Sequence, residues 1–346
     1  MSTHSTLADV AREAGVGNGT VSRVINGGKL VSPLTRAQVL AAMEKLRYQP
    51  NHAARVLKGE RTRTIGLVVP DIADSFFAKC AGAVHKIAHA YQSAVLLMAT
   101  NNDPQTEMED IKIFSRRTDG LLLVPTRSNG KELVELLQSL TIPVVTFDRP
   151  VEGIGVTSVL LRNQKGARIA TQHLIEHGYR RILCLAGERQ LYTIRERIQG
   201  YSRAMRKAGL SPLVHSSIAR LDYEATEQIL ESYVGSKSRI EAIFTAKNST
   251  TIYAFEALKK LGVKIPGGVA LVGFDDFELA ASLDPPVTVI AQPIQDAGRI
   301  AAEHLFRQVS AYARRRQQLA PFKPKIIELE PSLIVRGSCG CNPASR

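Results

Sequence analysis

The sequence contains no tryptophan and only four cysteines, and no part of it approaches the ~20 consecutive apolar residues that a membrane-spanning helix needs. Four cysteines are too few for a disulfide framework in a chain of 346 residues, which favours a reducing compartment. The N-terminus opens on polar residues and lacks the apolar core of a secretory signal, so export is not expected. These absences together predict a cytoplasmic protein without membrane contact.

Two of the cysteines, Cys339 and Cys341, flank a glycine in a segment rich in Gly, Ser and Pro. Zinc sites usually combine two ligand pairs, and no second pair follows at the usual spacing. No metal and no cofactor are therefore expected, and residues 338–346 are predicted to be a flexible tail.

Acidic residues are scarce relative to basic ones, with 32 Asp and Glu against 45 Lys and Arg, a net charge of +13. Residues 1–63 hold 10 basic and 4 acidic residues, residues 64–310 hold 28 and 26, and residues 311–346 hold 7 and 2. A near-neutral body behind a basic N-terminal segment predicts that this segment contacts a polyanion, although a solvated surface would give the same count. The basic run at Arg314–Arg316 is interpreted as a solvated helix end.

Three short helical patterns occupy the first fifty residues. Apolar residues follow a helical spacing from Leu7 to Ala14, behind a capping pair formed by Thr6 and Asp9. A second helix is predicted from Asn18 to Ile25, and a third from Pro33 to about Arg47. This order predicts a helix-turn-helix unit whose second helix enters the major groove. The alternative is an ordinary three-helix bundle with a polar outer face, which the basic charge of the segment disfavours.

The second helix carries polar side chains that can reach base edges or phosphates, namely Asn18, Thr20, Ser22 and Arg23. Farther along, residues 51–58 could form only two helical turns, too short to be stable alone. Their apolar edge includes Leu57 and could pack against a symmetry mate or wedge into a minor groove.

From Thr64 onward, apolar runs typical of strands alternate with helical stretches, which predicts parallel sheets covered on both faces. The strand candidates are Ile65–Val69, Val95–Ala99, Gly120–Val124, Val144–Phe147, Ile182–Ala186, Ala242–Thr245, Val269–Gly273 and Thr288–Ala291. Residues 64–337 are long enough for two doubly wound lobes, and ligands of such folds bind beyond the carboxyl ends of the strands.

Several residues that suit sugar recognition follow directly after these strands. Aromatic rings can stack on a sugar face, and carboxylates and guanidinium groups can bind pairs of hydroxyls. The residues concerned are Phe76, Phe77, Asp148, Arg149, Lys247 and Asp275, together with the helix start from Thr193 to Arg197. Taken singly, the phenylalanines are also typical of a core, and Asp275 is also typical of a helix cap.

The N-terminal motifs resemble the DNA-binding head of the LacI/GalR family of bacterial transcription regulators. The matching blocks are Thr6-Leu-Ala-Asp-Val-Ala, Thr20-Val-Ser-Arg-Val-Ile-Asn, Val31-Ser-Pro-Leu-Thr-Arg and Tyr48-Gln-Pro-Asn. The resemblance implies DNA contacts from Thr6, Asn18, Gly19, Thr20, Ser22, Arg23, Asn26, Asn51, Ala54 and Leu57. It also implies a hinge helix at 51–58 whose Leu57 opens the minor groove. This chain departs from the family at Gly17, where a capping serine is usual, and at Gly19, which offers no side chain.

The body resembles the effector domain of the same family, which is similar in fold to periplasmic sugar-binding proteins. Matching pieces include Phe147-Asp-Arg, Arg197-Ile-Gln-Gly-Tyr and Val272-Gly-Phe-Asp-Asp. The resemblance implies effector contacts from Phe77, Asp148, Thr193, Arg197, Asp275 and Gln292. Phe76 and Lys247 complete the predicted set because of their positions after strands. Lys247 and Arg162 replace residues common in the family, and with Arg149 and Arg197 they suggest an anionic effector such as a sugar acid or sugar phosphate. Lys247 could instead pair with a nearby aspartate.

The expected protein is an effector-controlled regulator, and by resemblance a repressor, that binds a palindromic operator as a homodimer or larger assembly. Its predicted parts are a head at 1–50, a hinge and linker at 51–63, a two-lobed effector and dimerisation domain at 64–337, and the tail. An enzyme is disfavoured because the sequence has no G-x-G-x-x-G after the first strand, no P-loop and no G-x-S-x-G elbow. An exported sugar-binding protein is the remaining alternative.

Overall fold

The computed structural model describes residues 5–25, 28, 30–48, 61–234, 239–314 and 323–341. The chain divides into two compact units between Thr62 and Arg63, and each is described by itself. Several residues expected to contact DNA lie outside the described residues, namely Asn26, Asn51, Ala54 and Leu57. The predicted hinge helix at 51–58, together with Arg315 and Arg316 of the basic run, also lies outside them.

The first unit contains the three predicted helices, α1 (Leu7–Glu13), α2 (Asn18–Ile25) and α3 (Pro33–Lys45). The predicted pairing of Thr6 with Asp9 is confirmed as a capping box, in which Thr6 Oγ1 accepts from Asp9 N and Asp9 Oδ2 accepts from Thr6 N. One apolar face of each helix meets in a small core formed by Val10, Ala11, Val21, Val24, Val39 and Ala42.

The second unit contains two six-stranded sheets, each at the centre of one lobe. Its strands are β1 (Thr64–Val69), β2 (Ala94–Ala99), β3 (Leu121–Leu123), β4 (Val144–Phe147), β5 (Thr157–Leu161), β6 (Ile182–Ala186), β7 (Leu213–Ser216), β8 (Ala242–Thr245), β9 (Ala270–Phe274), β10 (Thr288–Ala291), β11 (Ile326–Leu329) and β12 (Ser332–Ile334). The order is β11-β5-β4-β3-β1-β2 in the first lobe and β12-β10-β9-β8-β6-β7 in the second. The paired strands run parallel except for β10 and β12, as the alternation of strand and helix predicts.

Helices cover the faces of both sheets, and the chain crosses between the lobes after β5, after β10 and after β11. The helices of this unit are α4 (Ser75–Ala90), α5 (Pro104–Arg117), α6 (Lys131–Ser139), α7 (Asn163–Glu176), α8 (Tyr192–Lys207), α9 (Tyr223–Val234), α10 (Asn248–Lys260) and α11 (Ile294–Arg314). Although nine strands separate α4 from α11 in the chain, α11 packs on α4 in the first lobe. Gly298 permits this close approach, because a Cβ there would lie 2.6 Å from the carbonyl oxygen of Cys80.

The eight predicted strands are confirmed with small shifts at their ends, but β5, β7, β11 and β12 were not predicted. Three of these are edge strands with partly exposed side chains, so no continuous apolar run marks them. The predicted flexible tail is wrong for its first residues. Ser338 and Cys339 are fully buried, and Ser338 Oγ donates to Leu271 O at 2.6 Å and accepts from Thr288 N at 2.8 Å. These bonds satisfy backbone groups of two strands of the second lobe.

Within the described residues, no helix combines the length and the apolar character needed to cross a membrane.

Candidate functional site

A polar pocket of about 390 Å³, including the part open to solvent, lies where the carboxyl ends of strands from both lobes meet. The pocket is lined by Asp74, Phe76, Phe77, Asp148, Arg149, Leu191, Thr193, Ile194, Arg197, Lys247 and Asp275. The position agrees with the general rule for open parallel sheets.

Asp148 and Asp275 occupy equivalent positions in the two lobes, each directly after a central strand. Asp148 follows β4 with a φ of 64°, and Asp275 follows β9 with a φ of 73°. Aspartate is one of the few residues that adopts this left-handed backbone conformation readily. The amide of each donates to the neighbouring strand, Asp148 N to Val159 O and Asp275 N to Ile290 O, both at 2.9 Å. The backbone therefore holds each carboxylate at the end of its sheet.

Both carboxylates are buried, with relative exposures of 5% and 6%. Burial raises the pKa of Asp148, against the opposing charges of Arg149 and Arg197. Burial also raises the pKa of Asp275, against the charge of Arg197 and the hydrogen bond from Gln292. The site therefore keeps its carboxylates near guanidinium groups that offset part of the cost of desolvation.

The guanidinium group of Arg197, on α8, is held by three hydrogen bonds and one aromatic ring. Its Nε donates to Asn163 Oδ1 at 2.8 Å, and its Nη1 donates to Ala246 O at 2.8 Å and to Asp275 Oδ2 at 3.2 Å. Its guanidinium carbon lies 3.8 Å from the ring centroid of Phe274. A planar cation held in this way presents fixed donors to a ligand without further ordering.

Arg149 lies on the opposite side of the pocket, in the first lobe. Its Nη1 donates to Asn102 Oδ1 at 2.8 Å and to Pro125 O at 3.2 Å. Its Nε lies 3.5 Å from Asp148 Oδ2 and, among the described residues, has no hydrogen-bond partner although it is buried. Buried donors normally find a partner, so this N–H is suited to a ligand oxygen.

Lys247 is flanked by two carboxylates. Its Nζ lies 3.9 Å from Asp74 Oδ2 and 3.7 Å from Glu188 Oε2. The structure therefore favours the pairing of Lys247 with an aspartate that the sequence left open. Asp74 belongs to the first lobe and Lys247 to the second, so this ion pair also joins the lobes.

Seven of the eight predicted effector contacts line the pocket. The exception is Gln292, which does not line it but donates from Nε2 to Asp275 Oδ1 and so orients that carboxylate. Arg162 is also absent from the pocket, because it lines a different surface cavity and pairs with Glu328 and Glu330.

Asp74 is the main pocket residue that the sequence did not predict. Its position before α4 is that of a helix cap, and it does cap the helix by accepting from Phe76 N at 3.0 Å. The aliphatic residues Leu191 and Ile194 were also missed, because nothing distinguishes them from core residues in the sequence.

In the first unit, α2 presents its polar face to solvent while Val21 and Val24 are buried. Asn18, Gly19 and Arg23 are exposed, and Thr20 and Ser22 are half-buried. A Cβ at Gly19 would meet only the end of the Arg23 side chain, at 3.9 Å, so this surface has room for a base edge. Thr6 is exposed, and its hydroxyl donates to Asp9 Oδ2 at 2.7 Å.

A helix-turn-helix unit in the same chain as a two-lobed α/β body with a polar pocket defines a ligand-responsive transcription regulator. The model of "Bacterial regulatory proteins, lacI family" matches residues 6–51, and that of "Periplasmic binding proteins and sugar binding domain of LacI family" matches residues 62–323. The chain belongs to the LacI family. This is a family of regulators, so the protein is a DNA-binding regulator and not an enzyme, and the head excludes a sugar carrier without DNA function.

Individual relatives agree with this assignment. The ribose operon repressor of Escherichia coli strain K12 is 31% identical over 339 residues, which cover 96% of this chain and 99% of that protein. The structure of the transcriptional regulator CelR in complex with cellobiose is 31% identical, with a TM-score of 0.70 over 96% of this chain and 99% of that one. The Lac repressor dimer bound to operator is similar in fold, with a TM-score of 0.84 at 23% identity over 97% of this chain and 99% of that one.

Proposed function

We propose that this protein is a cytoplasmic, homodimeric repressor of genes of carbohydrate metabolism, and that its effector is a neutral sugar bound in the polar pocket. The observation that carries the proposal is the balance of charge in the pocket. Three cations, Arg149, Arg197 and Lys247, face three carboxylates, Asp74, Asp148 and Asp275. Such a pocket satisfies the hydroxyls of a neutral sugar with donors and acceptors of both kinds.

An anionic effector would need an uncompensated cation. Lys247 is already paired with Asp74 and Glu188, Arg197 with Asp275, and Arg162 lies in a different cavity. A further negative charge would therefore be desolvated beside three carboxylates, with only the unpartnered Nε–H of Arg149 to receive it, which is costly in a buried site. This argument favours a neutral sugar over a sugar acid or a sugar phosphate.

The pairing of the lobes supports a mechanism in which the effector acts on their closure. Asp74 of the first lobe lies beside Lys247 and Asn248 of the second, and Asn102 of the first donates to Glu188 of the second at 3.5 Å. A ligand in the pocket contacts both lobes and changes the relative stability of the open and closed arrangements. Coupling to operator binding is expected to be about 1–3 kcal/mol and acts in both directions.

The strand β2 supports the proposal of a homodimer. It lies at the edge of its sheet and exposes Leu96 and Leu97, at 41% and 42% relative exposure, with Tyr91 at 49% nearby in sequence. An apolar edge strand of this kind is normally covered by a partner. A two-fold dimer carries two heads, which would read half-sites about 34 Å apart in an approximate palindrome. Base contacts are assigned to Asn18, Gly19, Thr20, Ser22, Arg23 and Asn26, and hinge contacts to Asn51, Ala54 and Leu57.

Calorimetry on the full chain tests the effector. Matched pairs of a neutral sugar, its uronate and its phosphate ester are titrated into the protein, and tight binding of only the neutral members is expected. Tight binding of only the charged members would contradict the proposal. The DNA function is tested separately with a labelled palindromic duplex from the protein's own upstream region, whose affinity must fall steeply as salt rises.

A further inference from the structure

Two histidines and two cysteines come together on the second lobe, away from the residues that line the pocket. His173 lies in the last turn of α7, His177 follows at the end of the helix, and Cys339 and Cys341 belong to the segment after β12. The ligand atoms of His173, Cys339 and Cys341 all lie within 4.8 Å of one another. His177 joins them, because its Nε2 lies 2.8 Å from Cys341 Sγ.

The inner half of this cluster is buried and held in place. His173 is 7% exposed and Cys339 is fully buried. Thr288 Oγ1 donates to Cys339 Sγ at 3.1 Å, and Tyr179 Oη donates to Cys339 O at 3.4 Å. Hydrogen bonds of this kind orient the ligands of metal sites.

The turn between the two thiols depends on a glycine. Gly340 has a φ of +92°, and a Cβ at this position would lie 2.9 Å from Tyr179 Oη. The turn brings both sulfur atoms near His173 Nε2, from which Cys341 Sγ is 3.7 Å away. The outer half of the cluster remains accessible, since Cys341 is half-buried and His177 is exposed.

Thiolate and imidazole ligands in a tetrahedral set are typical of Zn²⁺. With Zn–S bonds of about 2.3 Å and Zn–N bonds of about 2.0 Å, the S···N edges of a tetrahedron are roughly 3.5 Å long. The 3.7 Å between His173 and Cys341 is close to this value. The contact between His177 Nε2 and Cys341 Sγ is shorter, at 2.8 Å, but the side chain of His177 is exposed and has room to move outward.

We propose that His173, His177, Cys339 and Cys341 form a Cys2His2 site for Zn²⁺ that fastens the C-terminal segment to α7. His173 and Cys341 are 168 residues apart in the chain. The spacing of residues around the cysteines therefore does not reveal the site. Because Ser338 next to Cys339 bonds to Leu271 and Thr288, the metal stabilises two strands of the second lobe as well. The site is structural and does not contact the effector.

Cobalt provides the direct test on the full-length protein. The protein is kept under reductant, stripped with a chelator, desalted and titrated with Co²⁺. We expect one equivalent per chain, with the intense visible absorption of tetrahedral Co²⁺ and a near-ultraviolet thiolate-to-cobalt charge-transfer band, both abolished by one equivalent of Zn²⁺. Thermal unfolding of the Zn²⁺-loaded protein should occur at a higher temperature than that of the stripped protein. Absence of the charge-transfer band, or a Cys339–Cys341 disulfide that persists under reductant, would overturn the proposal.

The helix α4 offers a matched control, because it carries His85 and His89 at the same spacing, both exposed. In the described part of the chain, these two histidines do not belong to a cluster with cysteine. We expect His177→Gln and Cys341→Ser to weaken Co²⁺ binding at least tenfold, and His89→Gln to leave it unchanged. Equal affinities in all three variants would contradict the site.

A second measurement does not depend on the folding of the variants. X-ray absorption of the Zn²⁺-loaded wild-type protein should show two sulfur and two nitrogen neighbours. A shell of oxygen and nitrogen alone would refute the assignment.

Discussion

Asp74 at the start of α4 accepts a hydrogen bond from Asn248 at the start of α10, with 3.2 Å between Oδ1 and Nδ2. These residues belong to different lobes, so the contact brings two helix starts together at the rim of the pocket. The same carboxylate caps α4 and lies 3.9 Å from Lys247 Nζ. Asp74 therefore takes part both in the contact between the lobes and in the charge balance of the pocket.

Asp74→Asn should change which ligands the pocket accepts. Asparagine still caps α4 and still accepts from Asn248, but it leaves Lys247 with one carboxylate fewer. We expect the affinity for a uronate, relative to its neutral sugar, to rise about tenfold, or ~1.4 kcal/mol. Calorimetry with the matched pair measures this ratio.

Asp71→Asn is the control for this change. Asp71 Oδ2 lies 3.5 Å from Arg220 Nη1 of the other lobe, but Asp71 does not line the pocket. Its substitution should leave the ratio unchanged. A similar shift in both variants would show that lobe pairing, and not pocket charge, sets the preference.

Arg197→Ala should remove effector binding and destabilise the protein. The substitution leaves Asp275 buried without its cation, and loss of one partner of a buried ion pair costs about 3–5 kcal/mol. Chemical denaturation should therefore show a clear loss of stability, while basal operator binding persists at low temperature. The double variant Arg197→Ala, Asp275→Asn should regain part of this stability without regaining the effector. Wild-type effector affinity in Arg197→Ala would remove this residue from the site.

Glu107→Gln should stabilise the protein at alkaline pH. Glu107 is 2% exposed, and burial raises its pKa to about 7, although the hydrogen bonds of Thr126 and the charge of Arg149 lower it. The folded state therefore binds more protons than the unfolded state between about pH 4.5 and 7. The corresponding stability is present below pH 4.5 and is lost as the pH rises through 7, at most about 3 kcal/mol.

Glutamine cannot ionise, and its Oε1 can still accept from Thr126 N, a bond of 2.6 Å in the structure. The difference in free energy of unfolding between Glu107→Gln and the wild type should thus grow from pH 5 to pH 8. Denaturant titrations at both pH values measure it. A difference that does not depend on pH would mean that Glu107 is ionised throughout.

Arg23→Ala should weaken operator binding and relax its specificity. Arg23 is exposed on the polar face of α2, and a guanidinium bonded to a guanine edge contributes about 1–3 kcal/mol of discrimination. Competition between the operator and a single-base variant measures the loss. Arg12→Ala is a suitable control, because Arg12 lies on α1 and pairs with Asp9 at 3.1 Å. If Arg23→Ala lowered affinity equally for all sequences, Arg23 would contact phosphate only.

Residues that directly follow an apolar strand could be predicted, because the apolar run that forms the strand can be recognised in the sequence. Asp148 and Asp275 are examples, since parallel strands bring their carboxyl ends to one side of the sheet. Residues whose role depends on distant partners could not be predicted. Asp74 and Asn248 are 174 residues apart, and Asp74 alone has the pattern of a helix cap. The proximity of the two cysteines to His173 and His177 could not be predicted for the same reason, because these neighbours lie far away in the chain. Gln292, predicted as an effector contact, lies outside the pocket lining and donates its amide to Asp275.

The late position of α11 in the chain determines what a premature stop codon would do to the first lobe. This helix supplies Ile294, Ala297, Ala301, Leu305 and Phe306 to the core of the first lobe, most of whose other residues precede position 162. A nonsense mutation anywhere between these two stretches yields a product with an intact head and an uncovered first lobe. We expect such a product to expose this apolar surface and therefore to accumulate less than the full-length chain.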